Sequence, residues 1–277
     1  PNRFVLCRMA FELIRAGRCE EAIARFTEAI ELSGGEPEDW NGRGLAREQK
    51  GDLVGAEQDF RRAVEAESSY AFAHATLGRF LYDLRRFEEA LPHFRKAMRI
   101  DDLNPLYGEW LARNLACMGR DEEAREVVRQ QLATHPSNAD SWRMQAELIA
   151  CAEADTTPAT TATRLAIFSA ELARTLGGDE VRTNGALGFA LLRDRAFDAA
   201  LEPTLAAIHA RRRRGLPAWP SLEAQLAAIC ARLGDIDEAL LALRHARVAM
   251  EDPFLDRQRQ LALAEAEKAI AAAAEIK

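Results

Sequence analysis

An alanine recurs every 34 residues along the first half of this chain, at Ala22, Ala56, Ala90 and Ala124. Its neighbourhood travels with it. Phe26, Phe60, Phe94 or Val128 stands four places on, and Ala29, Ala63 or Ala97 three places further, slipping to Gln131 in the fourth copy. Five places before each alanine come Gly17, Gly51, Arg85 and Gly119. A fixed period with a fixed internal pattern means that one small supersecondary unit is stacked on copies of itself, since a single unit cannot bury its own apolar face. Such arrays present a long surface to a partner rather than an enclosed pocket to a substrate.

The third copy shows what the unit is. Leu77, Leu81 and Leu84 recur at helical spacing, and Arg85 and Arg86 put positive charge where a helix C-terminus favours it. A second helix opens at Phe87-Glu88-Glu89, acidic in its first turn, and carries Ala90, Phe94, Ala97 and Met98 on one face. Two helices and a tight turn in so short a span predict an antiparallel helical hairpin. Gly44, Gly78 and Gly188 fall at equivalent places inside helices, where each costs about 1 kcal/mol against alanine. They predict a close approach between helices.

These residues resemble the tetratricopeptide repeat, whose pattern is Trp-x-x-Leu-Gly-x-x-Tyr, then Ala-x-x-x-Phe, a further alanine and a closing proline. Trp40, Gly44, Ala56, Phe60 and Ala63 match it in the second copy, and Leu77, Gly78, Leu81, Ala90, Phe94 and Ala97 in the third. Leu111, Ala112, Leu115, Ala124 and Pro136 match in the fourth, while Gly34, Ser68 and Asp102 replace the proline elsewhere. The resemblance implies an all-α, right-handed α-solenoid. Its register gives four regular repeats over residues 3–138, a repeat with an inserted turn at 139–180, further repeats at 181–214 and 220–253, and a capping helix at 254–277. That makes about seven hairpins in a single array. The interval from Ala124 to Ala166 is 42, or 34 plus eight, which places an insertion in the threonine-rich DTTPATTATR of residues 155–164. The interval from Ala200 to Ala239 is 39, or 34 plus five, absorbed by RRRRGLPAWP at 211–220.

In the family the first helix of each hairpin lines a concave groove. Carried over by register, the partner-facing residues are Asn41, Leu45 and Glu48, then Phe72, Arg79, Tyr82 and Asp83, then Glu109 and Arg113, then Arg143 and Glu147. Arg79, Arg113 and Arg143 would form a ladder of guanidinium groups able to grip a carboxylate or phosphate through paired N–H donors. Asp83, Glu109 and Glu147 could instead neutralise them. The lysine positions of the family's chaperone-tail clamp are not lysine here, and only Asn41 matches its asparagines, which argues against that partner. Trp110 is expected to pack. Arg211, Arg212, Arg213 and Arg214 form the strongest charge run, either a helix end countering its dipole or a secondary docking patch for an acidic partner.

Composition narrows the function. Thirty-seven basic against 44 acidic residues leave a net charge of −7, which disfavours nucleic acid as a partner. No stretch reaches the roughly 18 apolar residues of a membrane span. Cys7, Cys19, Cys117, Cys151 and Cys230 are odd in number and lack a Cys-x-x-Cys pair, reading as small buried thiols of a reducing compartment. His74, His93, His135, His209 and His245 lack zinc-site spacing, and Gly42-Arg43-Gly44 lacks the third glycine of a dinucleotide fingerprint, so no metal or cofactor is implied. The expectation is a non-enzymatic scaffold or adaptor that binds a peptide or helical segment of another protein. Two alternatives are a recognition domain of a larger enzyme, such as a glycosyl- or sulfotransferase, and a self-associating assembly subunit. Only four of the 37 basic residues are lysine, and alanine is abundant, as in GC-rich bacterial genomes. The cytoplasm is the expected compartment, or the periplasm if a leader preceded Pro1.

Overall fold

The computed structural model describes residues 2–152, 161–247 and 252–275, and among them all regular structure is α-helical. Helices α1 (Arg3–Arg15) and α2 (Cys19–Ser33) form the first hairpin, α3 (Pro37–Lys50) and α4 (Leu53–Ala66) the second, α5 (Ala71–Asp83) and α6 (Phe87–Ile100) the third. α7 (Pro105–Cys117) with α8 (Asp121–Thr134), α9 (Ala139–Ala152) with α10 (Thr161–Thr175), α11 (Glu180–Arg193) with α12 (Phe197–Arg213), and α13 (Pro220–Leu233) with α14 (Ile236–Ala246) follow. α15 (Pro253–Glu275) closes the chain. The expected array of seven hairpins and a capping helix is therefore present. Residues 155–160 of the threonine-rich insertion lie outside the described residues.

The turn inside each hairpin explains the glycine that precedes the repeating alanine. Gly17, Gly51, Gly119 and Gly234 all have φ between 73° and 91°, the left-handed region that a side chain disfavours. That residue ends the first helix and aims the second back along it. Arg85 (φ 58°) and Arg195 (φ 61°) hold the same place without being glycine. Asp52 and Asp235, next to such turns, accept hydrogen bonds from the backbone N–H groups of Gly55 and Glu238 and cap α4 and α14.

The glycines inside helices answer to packing. A Cβ on Gly44 would meet the Phe60 ring at 2.6 Å, and one on Gly78 the Phe94 ring at 2.8 Å, so the aromatic of each second helix lies on bare backbone of its own first helix. At Gly188 the same place is taken by Thr204, 2.3 Å from an added Cβ, which is why no aromatic follows Ala200 by four. Gly42 faces Phe26 of the preceding hairpin at 2.3 Å. The two glycines of Gly42-Arg43-Gly44 thus receive one ring from each side. Phe26, Phe60 and Phe94, with Ala22, Ala56 and Ala90, have no exposed surface. Overfilling such a contact costs about 1–3 kcal/mol.

By its contacts the chain forms two compact units, Pro1–Leu111 and Ala112–Lys277. In the first, α3 leans on α2 and α5 on α4, and buried ion pairs reinforce the stack. Asp39 is fully buried. It accepts from Arg3 Nε at 2.8 Å, from the Cys7 thiol at 2.9 Å and from Ser33 Oγ at 2.9 Å. Burial, then Asp39 itself, pushes the Cys7 thiol up to about 12. Arg43 Nη2 and Arg47 Nη1 both donate to buried Asp59 at 2.8 Å. In the second unit α11 leans on α10 and α13 on α12. α15 departs from that rule: it lies chiefly along α13, with a smaller contact to α14 and a few residues against α9.

Candidate partner-binding surface

In the first unit the first helices α3 and α5 share a face. Arg79 on α5 reaches back one repeat to Glu48 on α3, Nη2 to Oε2 at 2.6 Å and Nη1 to Oε1 at 3.0 Å, and also holds Asp83 at 2.6 Å. Burial opposes the charge on Arg79, but the two carboxylates outweigh it and raise its pKa above the usual guanidinium value. Leu45 lies half-buried beside this lattice, and Phe72 is 46% exposed. Two expected groove residues are not on the surface. Tyr82 is wholly buried, in edge contact with Phe87 and Trp110 at 5.5 Å, and Asn41 is 1% exposed. Both therefore act in packing. Trp110 lies parallel to Phe94 at 6.0 Å and packs as the sequence suggests, while Glu109 is half-buried near it in the chain.

The second unit treats its share of the ladder differently. Arg143 is 1% exposed and donates to Glu147 at 2.8 Å and to Asp140 at 3.2 Å, and Glu147 is 3% exposed. Arg113 is 5% exposed, 3.4 Å from Asp252 and over the Phe254 ring at 5.7 Å. These side chains line a small cavity whose walls come from the first helices α7, α9, α11 and α13 and from α15. Arg113, Arg143, Glu147, Arg182, Ser221, Gln225 and Gln258 are among the polar side chains that line it, and the space open to the centre of a water molecule is about 20 Å³. The ladder residues here are interior groups, because α15 lies over them. Charge spacing along the sequence identified the residues but not the helix that covers them.

The arginine run ends α12. Arg213 and Arg214 bridge to Glu180 and Asp179 at 2.7 Å, and Arg211 lies over Trp219 at 4.2 Å and donates to the Pro217 carbonyl. Arg212 is exposed beside a hollow of about 120 Å³ that also touches Trp219 and buried Glu223, whose burial raises its pKa. Three of the four arginines are thus engaged within the unit.

Two arrangements had no sequence signal. Arg257 on α15 clasps Asp121, 136 positions away, at 2.6 and 2.8 Å, and also donates to the Ala116 carbonyl at 3.1 Å. Its hydrogen bond holds the Asp121 carboxyl below the usual carboxylate range. His74 and His93 place their Nδ1 atoms 3.2 Å apart. No local spacing rule links either pair.

Sequence profiles of the tetratricopeptide repeat match residues 7–72 and 71–104. Residues 7–104 are tetratricopeptide repeats. Solved tetratricopeptide arrays superpose on the chain over most of its length. The Cut9–Hcn1 hetero-tetramer structure of the APC/C gives a TM-score of 0.69 at 12% identity, covering 94% of this chain and 48% of the other. Yeast Tom70 gives 0.61 at 17% identity, covering 98% of this chain and 56% of Tom70. PilF of Pseudomonas aeruginosa gives 0.60 at 19% identity, covering 76% and 91%. Likeness at such identities speaks for the fold alone, and this chain spans about half the length of the first two. No curated protein matches the sequence. Tetratricopeptide repeats are, in general terms, protein-interaction scaffolds, and among the described residues no helix is long and apolar enough to cross a membrane.

Proposed function

We propose that this protein is an adaptor whose first unit takes an extended or helical segment of another protein along the face of α3 and α5. The bridge from Arg79 to Glu48 carries this reading, since it joins residues 31 positions apart across neighbouring first helices on an accessible face. Phe72 offers an aromatic anchor there, and buried aromatic anchors supply much of the affinity of such interfaces. The Glu48–Arg79–Asp83 lattice presents both signs of charge, so it selects a partner by pattern rather than by net charge. Of the expected groove residues, Leu45, Glu48, Phe72, Arg79 and Asp83 form this surface.

The test is partner capture from the native cell with matched variants. Phe72→Glu combined with Leu45→Glu is expected to lose the captured protein while keeping the helical circular-dichroism signal. Val54→Glu, at a 73% exposed residue opening the second helix α4, is expected to keep it. Retention by the Phe72/Leu45 variant would remove the assignment. Reversing Arg143 is no test of the surface, because that side chain is interior.

A further inference from the structure

We propose that the first-helix face of the second unit is an α-helix-binding groove that the chain fills with its own α15, and that a partner helix of similar chemistry enters by displacing it. This rests on the reading of first-helix faces as partner-binding surfaces, applied to a second and separate stretch.

Three observations carry it. The first is placement. An ordinary stacked helix would lean on α14, as α13 leans on α12; α15 instead lies along the first helix α13 and reaches α9. Its buried residues Phe254, Gln258, Ala262, Ala266 and Ala269 form one stripe at helical spacing, which is how an amphipathic helix docks in a groove.

The second is recognition by charged and aromatic groups at the N-terminal end and the middle of the helix. Asp252 and Phe254 meet Arg113, Arg257 clasps Asp121, and Arg232 of α13 donates to Glu265 at 2.7 Å. These contacts specify the occupant's chemistry. It is an amphipathic helix led by an acid and an aromatic, with an arginine one turn on and a stripe of small residues behind.

The third is imperfect fit. Gln225 Oε1 on α13 and Gln258 Nε2 on α15 have no hydrogen-bond partner, although both residues are at least 98% buried and line the cavity. Neither atom is paired across the contact of α13 with α15, so these two amide atoms add no direct hydrogen bond to the fit of α15. Three alanines bury little apolar area in compensation. A helix with a better-matched residue at the place of Gln258 would hold the groove more firmly than α15 does, yet must compete with a tethered rival at high effective concentration.

The probe is a fluorescent peptide of residues 252–275, titrated into the full chain and into its Arg257→Glu variant, in which α15 meets Asp121 with like charge. The variant is expected to bind the peptide about tenfold or more tightly than the wild type, as a groove freed of its tethered occupant should. A peptide that itself carries Arg257→Glu is expected not to bind. A variant that keeps the wild-type helical signal but binds the peptide no better overturns the proposal. So does a variant that dimerises with concentration and takes no peptide, because the groove would then serve a second copy of this chain.

Hydrogen exchange on the unaltered chain guards against a misfolded variant. Amides of α15 are expected to exchange about tenfold or more faster than those of α11 and α13, as a separately opening element does. Equal rates would make α15 a fixed part of the array and end the idea. The peptide assay involves only the second unit and the Phe72/Leu45 assay only the first, so the two readings fail separately.

Discussion

Arg195, like Arg85, occupies a backbone conformation that the other repeats with this turn give to glycine. Its φ of 61° matches the place held by Gly51 and Gly234, and its side chain is exposed. A left-handed residue with a Cβ costs about 1–2 kcal/mol, and a new glycine returns part of that through the flexibility of the unfolded chain. Arg195→Gly is therefore expected to stabilise by about 1 kcal/mol, seen as a higher urea midpoint at unchanged slope. The recurrence of glycine five places before the alanine announced this position. That arginine tolerates the same conformation was not legible, because the sequence pattern shows the preferred residue and not the dihedral.

The histidine pair gives the second residue-scale expectation. His74 is largely buried, with Nε2 3.2 Å from the Ser68 carbonyl, so it donates there and accepts at Nδ1 from His93. Burial, then the neighbouring His74, lowers the His93 pKa from its usual 6.5 to about 4, and Arg61 pushes the same way against Glu89. Burial lowers His74 as well, with Lys96 adding to it. Both rings are thus neutral in the folded chain, and the unfolded chain binds protons first as pH falls. The contribution of His93 is complete above 6.5 and is lost between 6.5 and about 4, and His74 acts in the same direction. The melting temperature should fall across that window before most carboxylates titrate, and His93→Asn should flatten this part of the profile. A profile identical to that of His93→Asn would contradict the pairing.

At the scale of the element, α15 decides how much of the site the sequence could show. Alanine at Ala262, Ala266 and Ala269 marks a helix that packs closely, and its length marks a cap. Neither feature says which helix it packs against. The clasp of Arg257 on Asp121 joins residues 136 positions apart, far outside the reach of helical spacing rules. The pairs that spacing does cover, Arg79 with Asp83 and Arg143 with Glu147, form as it allows. Arg257 and Asp121 are 28% and 21% exposed, between a surface pair and a buried one. Arg257→Ala is accordingly expected to cost about 1–3 kcal/mol. Because the Arg257 hydrogen bond is the main cause of the lowered Asp121 pKa, the bridge is intact above the usual 3.8 and lost as acid protonates the carboxylate below it. The excess stability of wild type over Arg257→Ala, read by denaturant titration, should shrink as pH drops below about 4.

At the scale of the molecule, stacking makes stability a sum of hairpin terms and contacts between neighbours, so damage should stay local. The 34-residue period made every hairpin legible, including those at Ala166 and Ala239, which follow stretched intervals. It runs unbroken across Leu111 and Ala112 and so does not show that contacts gather into two units, a property of the packed structure rather than of any repeat. Phe60 and Phe189 are each fully buried, one in each unit. Truncating either to alanine opens a cavity worth about 3–5 kcal/mol. Phe60→Ala is expected to speed amide exchange in α3 to α6 while leaving α11 to α14 near their wild-type rates, and Phe189→Ala to do the reverse. The reason is physical: a hairpin touches only neighbouring hairpins and, in the second unit, α15, so a cavity in one relaxes the helices that line it and reaches others only through successive contacts. Uniform acceleration over all fifteen helices of the described residues by either variant would mean that the chain opens as one cooperative body, and the nearest-neighbour account would not hold.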